Sequence, residues 1–279
     1  MSSVPPLVLL LVLGSALLHA TWNAMLRSGA DRLWSISLMC LVGATAAAPA
    51  LLLLPAPAMA SWPYAVGSAA LQIGYCLFLI RAYRHGQLGQ VFPVARGTAP
   101  MLVALGATVF ASERLALPAV AGLVLVCAGI IGLSLGRDRA DGRSIAAAMI
   151  AGMFIAGYMV TDGIGVRLSG RPTSYVAWMT FIQGAPMPLV YLAIRRRFPP
   201  IRPDRETFKA LGGGLIGLVS YGVVVWAMSA TDMAKVSGLR ETSILFAAIL
   251  GAVFLKERFT LRRAACAVVI STGAILLAS

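Results

Sequence analysis

The sequence predicts an all-α polytopic membrane protein: ten transmembrane helices arranged as two inverted five-helix repeats. Three observations carry that expectation. Apolar runs of about 20 residues, the length that crosses a bilayer as a helix, recur from end to end of the 279 residues. The composition is 59% hydrophobic and only 12% charged, with a mean hydropathy of +0.86, whereas a soluble domain carries roughly twice that charge. The third is an internal repeat, described below.

Charge clusters and Pro/Gly breaks divide the chain into spans near 5–26, 33–54, 62–82, 90–111, 116–136, 144–166, 174–194, 208–228, 236–255 and 260–278. Helices are the natural solution, because backbone hydrogen bonds must be satisfied within the bilayer. The first span lacks a positive leader and continues through Leu26, so it reads as an uncleaved helix rather than a signal peptide. The halves are 1–138 and 139–279.

A shift of 144 residues lays Arg96–Gly132 over Arg240–Leu276 with 12 identities in 37 positions and no gap. The identities include Arg96/Arg240, Glu113/Glu257, Arg114/Arg258 and Gly129/Gly273. Shared hydrophobicity explains some aliphatic matches, but not two Arg…Glu-Arg frames at one spacing. Five spans per half force the repeats into opposite orientations. Inverted repeats point to secondary transporters, whose substrate site lies between the halves near mid-membrane.

The formal net charge is +13, yet the basic residues sit in short connections between apolar runs. That pattern sets membrane topology rather than a nucleic-acid face. Connections after the odd-numbered spans hold 17 Lys and Arg; the other side holds 4. The positive-inside rule therefore places both termini outside and the 195–209 connection in the cytoplasm. Cys40, Cys76, Cys127 and Cys266 all lie within apolar segments, without C-x-x-C spacing, and read as packing residues.

FASERLALPAVAGLVLVCAGIIGL (110–133) and FLKERFTLRRAACAVVISTGAILL (254–277) resemble the repeated EamA-type ending of the drug/metabolite transporter superfamily. A Glu-Arg pair follows the fourth or ninth span in that pattern, and a Gly-rich span closes each half. The opening ALLHATWNAMLR is similar to the family's first span. The resemblance implies a transporter of small metabolites in a bacterial cytoplasmic (inner) membrane. It does not choose among amino acids, sugars, nucleotide-sugars and drugs. Ten-span relatives are described with both termini in the cytoplasm, opposite to the charge count here.

Ser15, His19, Asn23 and Arg27 follow each other at i, i+4, a polar stripe in an apolar helix, with Trp22 between His19 and Asn23. Such a stripe faces either a cavity or a neighbouring helix. Arg96 and Arg240 precede their glutamates by 17 residues each. They either snorkel to headgroups or face a central cavity from opposite membrane sides. Glu241 beside Arg240 would neutralise it, leaving Arg96 to attract an anion. Asp162 is either a proton-coupling carboxylate or a frayed-end partner of Arg167. Gln72, Tyr75, Tyr158, Gln183, Tyr221 and Trp226 could together line a mixed polar and aromatic pocket. Pro93, Pro100, Pro186 and Pro188 supply kinks. Glu113-Arg114 and Glu257-Arg258 cap or pair within their turns. Gly213-x-x-x-Gly217 reads as helix packing rather than dinucleotide binding.

These readings predict a secondary active transporter moving a small metabolite, amino-acid-like or anionic, by alternating access. No P-loop appears, so a gradient is the natural energy source, with His19 and Asp162 as titratable candidates for a coupling proton. The partners expected are a small-molecule substrate and the lipid bilayer, with no nucleic acid, metal or cofactor. An intramembrane enzyme would need a converging constellation that two histidines at no motif spacing do not provide. A non-transporting sensor or assembly subunit of the same fold is the alternative.

Overall fold

The computed structural model describes residues 3–27, 31–85, 88–134, 142–199, 203–247, 249 and 261–279. All regular structure among them is helical: α1 (Pro6–Arg27), α2 (Arg32–Leu53), a 3-10 turn (Met59–Ser61), α3 (Trp62–His85), α4 (Leu88–Ala111), α5 (Leu117–Ser134), α6 (Gly142–Leu168), α7 (Pro172–Gly184), α8 (Met187–Arg195), α9 (Arg205–Ala227), α10 (Met233–Arg240) and α11 (Leu261–Ala278). Among the described residues, five segments are long and apolar enough to cross a membrane: Pro6–Leu26, Arg32–Leu53, Ala148–Leu168, Pro172–Arg195 and Arg205–Ala227. Ala95–Ala111, Leu117–Leu133 and Ala264–Ala278 are shorter apolar helices.

Local chemistry sets the helix ends. Asp31 caps α2, its carboxylate accepting from the Leu33 and Trp34 N–H groups at 3.1 and 3.2 Å. Asp204 caps α9 through the Thr207 N–H at 2.9 Å, and that bond holds its carboxyl below the usual aspartate range. Pro172 opens α7, where its missing N–H is harmless. The expected span 174–194 is two helices, since α7 ends at Gly184 and Pro186 precedes α8. By contrast, α4 runs continuously through Pro93 and Pro100. The expected span 236–255 is interrupted too. After Arg240 the backbone tightens, with Glu241 and Thr242 N–H groups donating to Gly238 and Leu239 carbonyls at 3.2 Å each. Residues 243–247 are helical again.

The helices pack in matched pairs. α3 lies along α6 as α9 lies along α1; α4 meets α6 as α10 meets α1; α2 touches α9 as α7 touches α3. α2 with α7, α4 with α10 and α5 with α11 complete the pattern. The seam between α5 and α11 shows the same order at atomic scale. A Cβ on Gly273 would meet the Gly122 carbonyl oxygen at 2.7 Å and Val126 N and Cγ2 at 2.9 Å. On Gly129 it would meet the Cys266 oxygen at 3.2 Å, Ile270 N at 3.3 Å and Ile270 Cγ1 at 2.6 Å. These are the same contacts displaced by the 144-residue shift. The Val4 N–H donates to the Ala278 carbonyl at 3.1 Å, so both chain ends lie at one end of the bundle.

Candidate functional site

The helices enclose a central cavity of about 140 Å³. Its α1 wall comes from the C-terminal part of that helix, its α2 wall chiefly from the N-terminal half, and its α9 wall from Gly213 to Tyr221 around the middle of that helix. It therefore lies around the middle of the bundle and extends, along α1 and α2, toward the end bearing the Arg-rich 195–209 connection. Glycines shape it. Gly214 sits so close to α2 that a Cβ would lie 2.5 Å from the Met39 carbonyl oxygen, whereas a Cβ on Gly217 would meet nothing within 4 Å. Gly213 and Gly214 do serve helix packing, but Gly217 leaves open space on the cavity wall.

His19, Trp22 and Asn23 all line the cavity. His19 is 5% exposed. Its Nδ1 accepts from Trp22 Nε1 at 3.2 Å and from the Arg240 guanidinium at 3.2 Å. Two donors converging on Nδ1 place the ring proton on Nε2, which is buried and has no partner among the described residues. Asn23 Nδ2 donates back to the His19 carbonyl at 2.8 Å.

Arg96 and Arg240 are both buried and both reach the cavity, which removes the headgroup-snorkelling alternative. Their pairing is the reverse of the sequence expectation. Glu241 does not neutralise its neighbour Arg240; it accepts from Arg96 at 2.8 Å, across helices. Consecutive helical residues point in different directions, so Glu241 faces α4 while Arg240 faces the cavity. The Arg240 guanidinium lies 5.0 Å from the Tyr221 ring centroid, a cation–π distance. Tyr221 in turn sits edge-on to Tyr158, whose ring meets Tyr75.

Tyr75, Gln72, Tyr158, Gln183 and Tyr221 also line the cavity. Trp226 does not. It is five residues beyond Tyr221, about 140° round the helix, and packs half-buried against the hydrophobic core. Asp162 lies outside the lining as well, one turn beyond Tyr158 and fully buried in α6. Its oxygens accept from Tyr221 at 2.5 Å and Tyr175 at 3.3 Å, with the Ser68 hydroxyl a third partner. The helix continues past it to Leu168, and Arg167 turns elsewhere. The frayed-end pairing of Asp162 with Arg167 is thus replaced by a shell of hydroxyl groups. Cys40 and Cys76, read from the sequence as packing residues, also lie on the cavity wall, together with Met39 and Thr180, which as single residues in apolar helices carry no signal.

The other end of the bundle is interlocked. Glu113 takes an ion pair from Arg167 at 2.5 Å and accepts the Met233 N–H at 3.0 Å, capping α10. Arg167 also donates to the Met228 and Thr231 carbonyls, each at 2.9 Å. Arg171 reaches the Ala56 carbonyl at 3.0 Å. Glu113 therefore ties separate connections together instead of pairing within its own turn. Glu257 and Arg258 lie outside the described residues. Among those residues no cluster of His, Cys, Asp and Glu could hold a metal ion.

Apolar helices wrapped around a buried, charged cavity define a multi-pass integral membrane protein of the transporter class. Residues 142–279 match the EamA-like transporter family, and the chain belongs to that family within the drug/metabolite transporter superfamily. A crystal structure of another protein matches over 97% of this chain and 94% of its own, with a TM-score of 0.75 at 19% identity. At that identity the likeness speaks for the fold alone. No curated protein matches the chain.

Proposed function

We propose that the protein is a secondary transporter that carries a small metabolite, amino-acid-like or anionic, through the central cavity by alternating access. It has ten spans in two inverted five-helix units, 1–138 and 139–279, and sits in a bacterial inner membrane without enzymatic activity. The observation that carries this reading is the cavity with its two buried arginines, enclosed by helices that pack in mates. The displaced contacts at Gly129 and Gly273 support the inverted repeat, and the Val4–Ala278 bond fits an even number of spans.

With termini outside, as the positive-inside rule requires, the cavity extends from the middle of the bundle toward the cytoplasmic side and the Glu113–Arg167 network closes the outer side. That is the arrangement of an inward-facing state. Asp162 is a buried carboxylate met by neutral hydroxyls and shares Tyr221 with the cavity wall. It is the favoured coupling-proton site, with His19 as the second candidate.

Uptake of labelled amino acids, sugars, nucleosides and organic acids into proteoliposomes tests the transporter reading. Saturable flux of at least one compound above protein-free vesicles is expected. No flux across the panel would favour the sensor or assembly subunit.

A further inference from the structure

The charge balance of the central site narrows its cargo. Arg96 and Arg240 contribute two positive charges, and both side chains line the cavity. Glu241, ion-paired to Arg96 with side chains 4% and 1% exposed, cancels one of them. His19 receives two donors on Nδ1 and sits there as a neutral ring. Arg240 has no ion pair among the described residues; it is 3% exposed and meets His19, the Tyr221 ring and the Met159 sulfur. Its Nε has no partner there, nor has His19 Nε2 beside it. One buried positive charge thus borders the cavity, and two donors of its lining residues Arg240 and His19 are left without a partner among the described residues. Buried charges of this kind are costly unless something of opposite sign meets them.

The walls discriminate further. No carboxylate lines the cavity among the described residues, since Asp162 and Glu241 both lie behind it. An ammonium group entering the site would find no anionic partner and would sit near Arg240. The space is comparable to the roughly 150 Å³ cavity that accommodates a benzene molecule. Ile36, Met39 and Leu218 offer apolar surface for a short or ring-shaped body.

We infer that the site takes a compact organic anion of one net negative charge, its acid group received by Arg240 and the His19 Nε2–H. This deepens the transporter reading and rests on it. It selects the anion over the amino-acid-like zwitterion.

Matched probes test it. Lactate, lactamide and alanine share one size and differ in charge, as do mandelate, mandelamide and phenylglycine. Binding to the purified full-length protein is read by thermal stabilisation, and transport by counterflow in proteoliposomes, with the wider metabolite panel run in parallel. In at least one set the acid is expected to bind about tenfold or more tightly than its amide and amino analogues, the scale of a charge-assisted hydrogen bond. Arg240→Gln should abolish that preference, and Arg240→Lys should keep most of it. The wild-type comparison stands whether or not the variants fold.

Equal handling of acid and amide, or preference for the amino compound, overturns the anion inference while leaving transport in place. If neither set binds, the charge of whatever the wider panel shows to be carried decides: a monoanion supports the inference, and any neutral or zwitterionic cargo overturns it. Absence of any flux and any stabilisation overturns both readings.

Discussion

The seam between α5 and α11 and the pair of arginines at positions 96 and 240 fall in the same 144-residue sequence match, yet their contacts behave in opposite ways. At the seam, Gly129 and Gly273 are mates and make mate contacts, each against the backbone and a β-branched side chain of the facing helix. Near the cavity, mates have different partners. Arg96 is ion-paired to Glu241, while Arg240 stacks on Tyr221 and donates to His19. The helices differ with them: α4 continues through Arg96, but α10 stops at Arg240. Contacts related by the 144-residue shift are kept at the α5–α11 seam and differ at the two arginines. The position after each arginine makes the difference, Gly97 in one half and Glu241 in the other.

The largest effect should come from breaking the asymmetric region at its ion pair. Glu241→Gln leaves Arg96 buried without its counter-charge, a loss of about 3–5 kcal/mol for a pair so thoroughly withdrawn from water. Thermal unfolding in detergent should show a large fall in Tm. Adding Arg96→Gln should recover much of it, because the double variant no longer buries the Arg96 charge without its acid. A double variant no better than Glu241→Gln would mean that Glu241 acts through something other than Arg96.

The symmetric region should be less sensitive, and its two halves should respond alike. Gly273→Ala and Gly129→Ala each force a methyl into a helix–helix contact, at a cost of about 1–3 kcal/mol. Gly273→Ala should be the worse, because the atom it meets first is a backbone oxygen rather than a side chain. If only one of the two lowers Tm, the seam is not the equivalent contact that the sequence repeat implies.

Much of this was legible before any coordinates, and the parts that were not share one cause. Apolar helices could be read from apolar runs, and the shared side of His19 and Asn23 from their i, i+4 spacing, since both depend on chemistry close along the chain. Partner choice was not legible. Glu241 next to Arg240 and Asp162 five residues before Arg167 looked like pairs because they are near in sequence. On a helix both arrangements splay the side chains apart, so each acid found its partner on another helix. Breaks in helices were ambiguous for a related reason. Pro186 interrupts and Pro100 does not, although both sit in apolar runs. Gly213 and Gly217 look interchangeable in the sequence, but only Gly213 has α2 pressed against it.

The smallest effect on stability should come from Arg240→Gln, and that is what makes it informative. Removing this side chain strands no acid, because Glu241 keeps Arg96 as its partner. What is lost is a set of contacts to uncharged groups, the hydrogen bonds to His19 and Tyr158, the Met159 sulfur contact and one cation–π contact, about 1 kcal/mol or less each before the relief of burying one charge fewer. The variant should therefore unfold close to the wild-type Tm. The repeat-related Arg96→Gln, which abandons Glu241 in the interior, should unfold well below it. Residues matched by the 144-residue shift would then differ by several kcal/mol, because Arg96 has an ion-pair partner in the protein and Arg240 has none among the described residues. Equal losses at both positions would mean that Arg240 has a structural anion of its own, and the charge balance of the cavity would have to be redrawn.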